Sequence, residues 1–225
     1  MGVVAVIWSP VRTLREVAGR HSALPGFIVV AVYAAMSLAI SAAFVLGGAT
    51  RRQLQEGLGR PGQSALPPGV SETVARTFEI GAPIAALLSP FLIWFLVSLL
   101  MQLATRLFGG TGPLSSMLGV VGVAQAPFIV GGILGALLGV LQMWIGAGTP
   151  FGVAIGYLVS LVGLAFFVWY VVLVVVGAAQ ARGVGYGESA GSCALSCVGL
   201  GGLIILLVVV AGIGIFIVAG AAAPQ

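Results

Sequence analysis

Four polar residues near the end of an apolar stretch are the most regular group of side chains that could do chemistry. Ser98, Gln102 and Thr105 are spaced four and three residues apart, and Arg106 follows directly. Helical geometry places this spacing on one face, so the residues form a polar stripe in an otherwise apolar segment. Such a stripe either hydrogen-bonds to neighbouring helices or lines a path for a solute. Both interpretations remain open from the sequence.

The other reactive side chains do not form a pattern that predicts catalysis. His21 is the only histidine, and it lies among arginines, so no acid–base pair or metal cluster can be built around it. The chain has no phosphate-binding Gly-x-x-x-x-Gly-Lys motif. Cys193 and Cys197 lie one helical turn apart, where disulfide geometry is poor, so we expect both to be reduced. We therefore predict a protein that is not an enzyme and that uses no cofactor or metal.

Composition places the chain in a membrane. Of its 225 residues, 60% are hydrophobic and 6% are charged, which leaves too few charges for a soluble surface. A net charge of +4 could suggest nucleic acid as a partner, but the arginines do not form a basic run of five residues. We expect membrane lipids as partners and no nucleic acid.

Five apolar stretches are long enough to cross a bilayer as helices, which takes about 20 residues. They are Phe27 to Leu46, Ile80 to Leu107, Met117 to Ile145, Phe151 to Ala179 and Ala194 to Gly220. The predicted fold class is all-α, a polytopic membrane bundle of about five transmembrane helices. Residues 26–225 form this domain, with a polar loop at residues 47–79. Pro127 lies inside the third stretch and is the predicted kink, because proline lacks the amide N–H of a helical turn.

Residues 1–25 predict an amphipathic helix before the first span. Ser9 and Pro10 suit its N-terminus. One face carries Ile7, Val11, Leu14 and Ala18, and the other carries Arg12, Glu16 and Arg20. The candidate contacts with the membrane surface are Trp8, Arg12, Arg15 and Arg20. Such a helix either lies in the membrane interface or packs against the protein's own spans.

Glycines repeat every four residues in two places, which leaves one helix face without side chains. The candidate faces are Gly131, Gly135 and Gly139 on the third span, and Gly148, Gly152 and Gly156 at the start of the fourth. Faces of this kind let helix backbones approach closely. The contact is either internal to the bundle or made with a partner, which would be another membrane protein or a second copy of the chain.

Arginines favour the cytoplasmic side of a membrane, so their distribution predicts the topology. With the N-terminus inside, the inner segments carry Arg12, Arg15, Arg20, Arg106 and Arg182, and the outer ones carry Arg51, Arg52, Arg60 and Arg76. The three arginines nearest the first span favour a cytoplasmic N-terminus. Five spans then place the C-terminus outside.

The order of features resembles a known family. Trp8, Ser9 and Pro10 precede a short amphipathic segment and five spans, and residues 108–113 (FGGTGP) lead to residues 120–127 (VVGVAQAP). This order is similar to that of the Yip1 family of small multispanning proteins, in its prokaryotic branch. The resemblance implies a cytosolic N-terminus, five helices and no catalytic residues.

The resemblance also implies a class of function. Eukaryotic members of the family are linked to vesicle traffic and small GTPases, and prokaryotic members look like accessory partners of other membrane systems, including ABC exporters. The richness in Ala, Arg and Gly is typical of a GC-rich prokaryotic genome, which favours the cell membrane as the location. We expect a non-catalytic scaffold or accessory subunit, and the alternative is a small permease or channel.

Overall fold

All regular secondary structure in the described part of the chain is helical. A computed structural model describes residues 5–48, 70–146 and 148–202. The helices are α1 (Ala5–Trp8), α2 (Pro10–Gly19), α3 (Leu24–Leu46), α4 (Val70–Leu107), α5 (Leu114–Ala124), α6 (Ala126–Ile145) and α7 (Pro150–Arg182). A further helix, α8, begins at residue 186 and is described to residue 202. The predicted all-α class is confirmed.

Four segments within these ranges are long and apolar enough to cross a membrane. They are Leu24–Leu46, Ala75–Leu107, Leu114–Ile145 and Pro150–Arg182. These four segments match the first four predicted spans. The predicted fifth span begins in α8, and most of it lies outside the described residues.

The second span begins earlier than expected. Residues 70–79, assigned above to the polar loop, belong to α4, which runs for 38 residues through Pro83 and Pro90. Its length of about 57 Å exceeds the hydrocarbon thickness of about 30 Å. Extending an existing helix costs less than starting a new one, and Glu72 in the first turn complements the helix dipole. The polar residues at the start of α4 can therefore remain helical beyond the lipid.

The third predicted span is divided into two helices. Helix α5 ends at Ala124, Gln125 separates the two, and α6 begins at Ala126. Pro127, the predicted kink, lies at the start of α6, where its missing N–H is tolerated. The interruption shortens the helix that precedes it to 11 residues, or about 16 Å.

Helix α5 lies at the centre of the described structure. It contacts α2, α3, α4 and α7, and nearly all its residues from Ser116 onward are buried. The core side chains around it include Leu14, Met101, Val120 and Leu173. A helix enclosed on every side by other helices cannot face lipid. The main core therefore lies at the end of the bundle where α2 packs.

Helix α2 packs against the protein rather than inserting its apolar face into lipid. Leu14, Val17 and Ala18 are buried, and α2 contacts α5 and α7. Packing against the protein's own helices, one of the two alternatives for this segment, is the arrangement observed. The polar face of α2 remains outside.

Glycines allow the closest approach between helices, but at positions that the four-residue repeats did not include. Helices α3 and α5 cross where Gly26 faces Gly119 and Gly122. A Cβ atom on Gly26 would overlap the Leu118 carbonyl oxygen, and one on Gly122 would overlap the Gly26 backbone. Backbones in contact at this distance leave no space for a side chain.

Candidate functional site: a polar cluster at the helix ends

The predicted polar stripe on α4 lies inside the protein. Ser98 and Thr105 are both fully buried. The Ser98 hydroxyl donates to the Trp94 carbonyl at 2.7 Å, and the Thr105 hydroxyl donates to the Met101 carbonyl at 2.7 Å. Each is a bond to the preceding turn of the same helix, so both hydroxyl hydrogens are used within α4.

Gln102 links the stripe to the connection between α4 and α5. Its amide Nε2 donates to the Gly112 carbonyl at 3.2 Å, and the residue is 4% exposed. Its Oε1 has no hydrogen-bond partner among the described residues. The side chain therefore holds the loop by its donor while its acceptor stays buried.

Arg182, the last residue of α7, completes this cluster and was not among the predicted site residues. It is 3% exposed. Its Nε donates to the Thr105 hydroxyl at 3.1 Å, and its Nη2 donates to the Gly110 carbonyl. The Arg182 carbonyl in turn accepts from the Thr111 amide at 3.2 Å. One residue thus bonds the end of α4 and the following loop to the end of α7.

The loop between α4 and α5 can approach α7 closely because three of its residues, Gly109, Gly110 and Gly112, have no side chain. Gly109 has a φ of +79°, which favours glycine. A Cβ atom on Gly112 would overlap the Ala181 carbonyl, and one on Gly110 would lie 3.1 Å from the Arg182 Nε. We call Gln102, Thr105, Gly110, Gly112 and Arg182 the Arg182 cluster.

Arg106, the charged member of the predicted stripe, is not part of the Arg182 cluster. Arg106 is exposed, whereas Arg182 lies beside Thr105. An ion pair on α2 joins Arg12 to Glu16 at 3.3 Å. The hydrogen-bond acceptors around Arg182 are neutral oxygens, which hold a guanidinium in place but do not activate it. In the sequence, the glycine-rich run at residues 109–112 is the one feature that indicates a close contact between this loop and another helix.

Side-chain hydrogen bonds fasten α2 to the same end of the bundle. The Arg15 Nε donates to the Gln180 Oε1 at 3.2 Å, and the Gln180 Nε2 donates to the Tyr186 hydroxyl at 3.2 Å. His21 has a φ of +50° just after α2, and its Nδ1 lies 3.0 Å from the Ser116 hydroxyl. These contacts place the N-terminal helix beside the starts of α5 and α8 and the end of α7.

The four candidate membrane-surface residues all face outward. Trp8 is 84% exposed, and Arg12, Arg15 and Arg20 are exposed on α2. The paired guanidinium of Arg12 lies 3.3 Å from the Glu16 carboxylate. The three arginines are accessible at the end of the bundle that holds the Arg182 cluster, and Trp8 lies before α2.

The break between α5 and α6 holds buried polar atoms. Gln125 is 2% exposed, and its Oε1 has no partner among the described residues. The Tyr170 hydroxyl on α7 is also buried without a hydrogen-bond partner among the described residues. The centroid of the Tyr170 ring lies 5.0 Å from that of the Phe128 ring. On α4, the Trp94 Nε1 donates to the Leu118 carbonyl at 2.8 Å. A broken helix inside a membrane protein leaves such groups to be satisfied by neighbours, water or a ligand.

The glycine repeat on α6 does not form one continuous contact face. A Cβ atom on Gly131 would lie 2.8 Å from the Phe166 ring, and one on Gly139 would lie 3.4 Å from Phe44. One on Gly135 would meet nothing within 4 Å. Gly135 is therefore the member whose side is open to a partner.

The repeat on α7 surrounds a side chain of α6. Gly152 is buried, and its carbonyl accepts from the Gln142 Nε2 at 2.9 Å. A Cβ atom on Gly156 would lie 3.0 Å from the same Nε2, whereas one on Gly148 would meet nothing within 4 Å. Two of the three glycines therefore accommodate Gln142.

The cysteines and acidic residues add no further site within the described ranges. Cys193 is buried, Cys197 is exposed and both are free. In the part of the chain that the structure describes, His, Cys, Asp and Glu do not gather in groups of three or more that could hold a metal ion.

Long apolar helices around a buried short helix, with polar side chains bonded at one end, define a polytopic helical membrane protein. A sequence model of the Yip1 domain matches residues 4–210, which is nearly the whole chain. The chain belongs to the Yip1 family, and the resemblance noted from the sequence is confirmed. No curated protein and no solved structure matches the chain.

Proposed function

We propose that this Yip1-domain protein is a non-catalytic scaffold or accessory subunit of another membrane system, in transport, trafficking or membrane organisation. It acts in the cell membrane with a cytoplasmic N-terminus and an external C-terminus. Its partner is another membrane protein or a second copy of the chain. The family and the apolar helices support an integral membrane protein, and the rest of this assignment is our proposal.

The proposal rests on the hydrogen bonds that the polar stripe makes inside the protein. A solute path needs polar groups that face an open lumen. Ser98 and Thr105 instead donate to carbonyls of α4, and Gln102 bonds to the α4–α5 loop. The bonds between elements are those of Gln102 and Arg182, which fix α4, the α4–α5 loop and α7 relative to one another, as a scaffold requires.

A partner helix would contact α6 beside Gly135. This glycine has open space beside its backbone and lies on the same helix face as Gly131 and Gly139, each four residues away. Small residues at a helix surface favour association with another helix in lipid, because dispersion contacts increase as the backbones approach. The Gly135 face is therefore the part of the surface that we assign to a partner.

Replacing Gly135 with Leu tests this assignment, because a Cβ atom there meets nothing within 4 Å and the larger side chain would separate α6 from a partner helix. We expect the variant to keep its thermal stability in detergent and to lose its partner in a cross-linking pull-down. Gly131→Leu is the matched control, since its side chain would collide with Phe166 and should lower stability. Full partner recovery by the stable Gly135 variant would contradict the proposal.

A small permease or channel is the second candidate, favoured by the broken helix. The buried Gln125 Oε1 and Tyr170 hydroxyl without described partners are groups that a polar solute could bind. Cysteines placed in turn at positions 98, 102 and 105 discriminate the two functions. Protection from a water-soluble maleimide along the series is expected for the scaffold. Labelling deep in the span, together with solute flux in liposomes that Gln125→Leu abolishes, would establish the permease.

A further inference from the structure

We infer that the outward face of α2, with Trp8 and Arg106, is a contact surface for the headgroups of anionic phospholipids. This inference concerns a different surface from the Gly135 face and does not depend on the proposed partner. It rests on three observations: the depth at which α2 lies, the charge of its outer face and the position of Trp8.

The contacts of α2 place it at the level where the spans leave the lipid. Helix α7 has 33 residues, so its length of about 50 Å exceeds the hydrocarbon by several turns. Helix α2 packs beside the last turns of α7, where Arg15 bonds to Gln180 and Leu14 lies against Gly177. A helix at this position lies beside headgroups rather than acyl chains.

The outer side of this end is rich in positive charge. Four arginines are exposed there: Arg12, Arg15, Arg20 and Arg106. Two carboxylates belong to the same end of the described structure. Glu16 pairs with Arg12, and the Glu188 Oε2 accepts from the Gly185 amide at 2.9 Å. The remaining positive charge is complementary to a surface of phosphate groups, and each arginine near such a surface strengthens binding.

Trp8 favours a lipid surface over an acidic soluble protein. The indole is 84% exposed directly before α2, and Val11 beside it is 40% exposed. Tryptophan is enriched at headgroup level, where its apolar ring and N–H meet both environments. An exposed indole one helical turn before Arg12 therefore matches the edge of a bilayer.

The buried face of α2 determines the mode of binding. Leu14, Val17 and Ala18 are covered by the protein, so α2 cannot bind lipid by inserting an apolar face as surface helices commonly do. Its contact is electrostatic. Binding should consequently weaken as salt is added, because ions screen charges at exposed surfaces.

The test measures phospholipid binding to the full-length protein in neutral detergent by native mass spectrometry. The wild type should bind dioleoylphosphatidylglycerol more tightly than dioleoylphosphatidylcholine, and salt should reduce the difference. The double variant Arg12→Gln with Arg20→Gln should lose affinity for phosphatidylglycerol by roughly fivefold for each arginine removed. Its affinity for phosphatidylcholine and its unfolding temperature should stay unchanged, because both side chains are exposed.

The matched control replaces Arg51 and Arg52 with Gln, which removes the same charge from the polar loop. It should keep the wild-type preference for phosphatidylglycerol. An equal loss in the control would show a response to net charge only, and unchanged binding by the α2 variant would exclude this face. A polyglutamate peptide that binds the wild type more tightly than phosphatidylglycerol and displaces it would assign the surface to an acidic protein instead.

Discussion

Arg182 joins two parts of the chain that are far apart in sequence. It bonds Thr105 at the end of α4 and Gly110 in the following loop from its position at the end of α7. Hydrogen bonds to a charged group contribute about 1.5–3 kcal/mol, and a guanidinium presents its donors in a fixed plane. The planar geometry lets one side chain hold two acceptors at once.

Replacing Arg182 with Lys should lower the free energy of unfolding by about 2 kcal/mol, since an ammonium keeps the charge but cannot reproduce both bonds. The measurement is unfolding of the purified protein by titration with a denaturing detergent. Arg106→Lys is the matched control, because that side chain is exposed and should change stability by no more than about 0.5 kcal/mol. Equal stability of the two variants would show that the Arg182 bonds contribute nothing.

This residue also shows where prediction from the sequence reaches its limit. A charge at the end of a span is ordinarily explained by snorkelling to the headgroups, and Arg106 and Arg182 look alike in that respect. The two differ because the glycine loop at residues 109–112 lies over one of them and not the other. Tertiary contact, which no local pattern encodes, therefore decides which arginine is buried.

Helix α5 is packed against α2, α3, α4 and α7, and its role follows from these surroundings. Its apolar sequence suits either lipid or a protein interior, so the sequence predicted a transmembrane segment without showing that it is enclosed. The sequence predicted a kink at Pro127, since proline has a local effect on the helix. The structure divides α5 from α6 at Gln125, two residues earlier. The close crossing with α3 was not predicted, because α3 carries a single glycine, Gly26, and Gly119 and Gly122 on α5 do not form a four-residue repeat.

Adding one methyl group at this crossing should be far more costly than adding it elsewhere. Gly122→Ala would place a Cβ atom against the Gly26 backbone, which cannot move without separating α3 from α5. We expect a loss of about 2–3 kcal/mol or more in the free energy of unfolding. Gly135→Ala adds the same atom in open space and should be neutral or stabilise by up to about 1 kcal/mol through helix propensity.

Both variants are measured by the same detergent titration, so the difference between them isolates the contact. A Gly122→Ala protein as stable as Gly135→Ala would show that α3 and α5 can separate without loss. The crossing would then be a consequence of packing elsewhere in the bundle rather than one of its causes.

The two ends of the bundle differ in character. Buried polar bonds, the α2 helix and the Arg182 cluster gather at one end, whereas exposed leucines and phenylalanines lie along α6 and the first half of α7. The apolar lengths of the first four spans sufficed to predict the lipid-crossing part. The polar end could not be predicted, because it is built from bonds between residues as distant as Arg15 and Gln180.

The distribution of arginines between the ends leads to a final prediction, the topology. Contacts bring α2, the end of α4 and the end of α7 together, so Arg12, Arg15, Arg20, Arg106 and Arg182 share one end. Four other arginines lie in residues 51–76. Because arginine is retained on the cytoplasmic side, the end that carries α2 should be cytoplasmic.

Labelling with an impermeant maleimide measures the topology directly, in a variant in which Cys193 and Cys197 are replaced by Ala. Single cysteines at positions 4 and 223 should then be labelled from opposite sides, with position 223 reacting in intact cells and position 4 only after permeabilisation. This outcome requires an odd number of spans, because each crossing exchanges the side on which the chain emerges. Labelling of both positions in intact cells, or of neither, would exclude five spans. Labelling of position 4 alone would reverse the orientation and place the arginine-rich end outside.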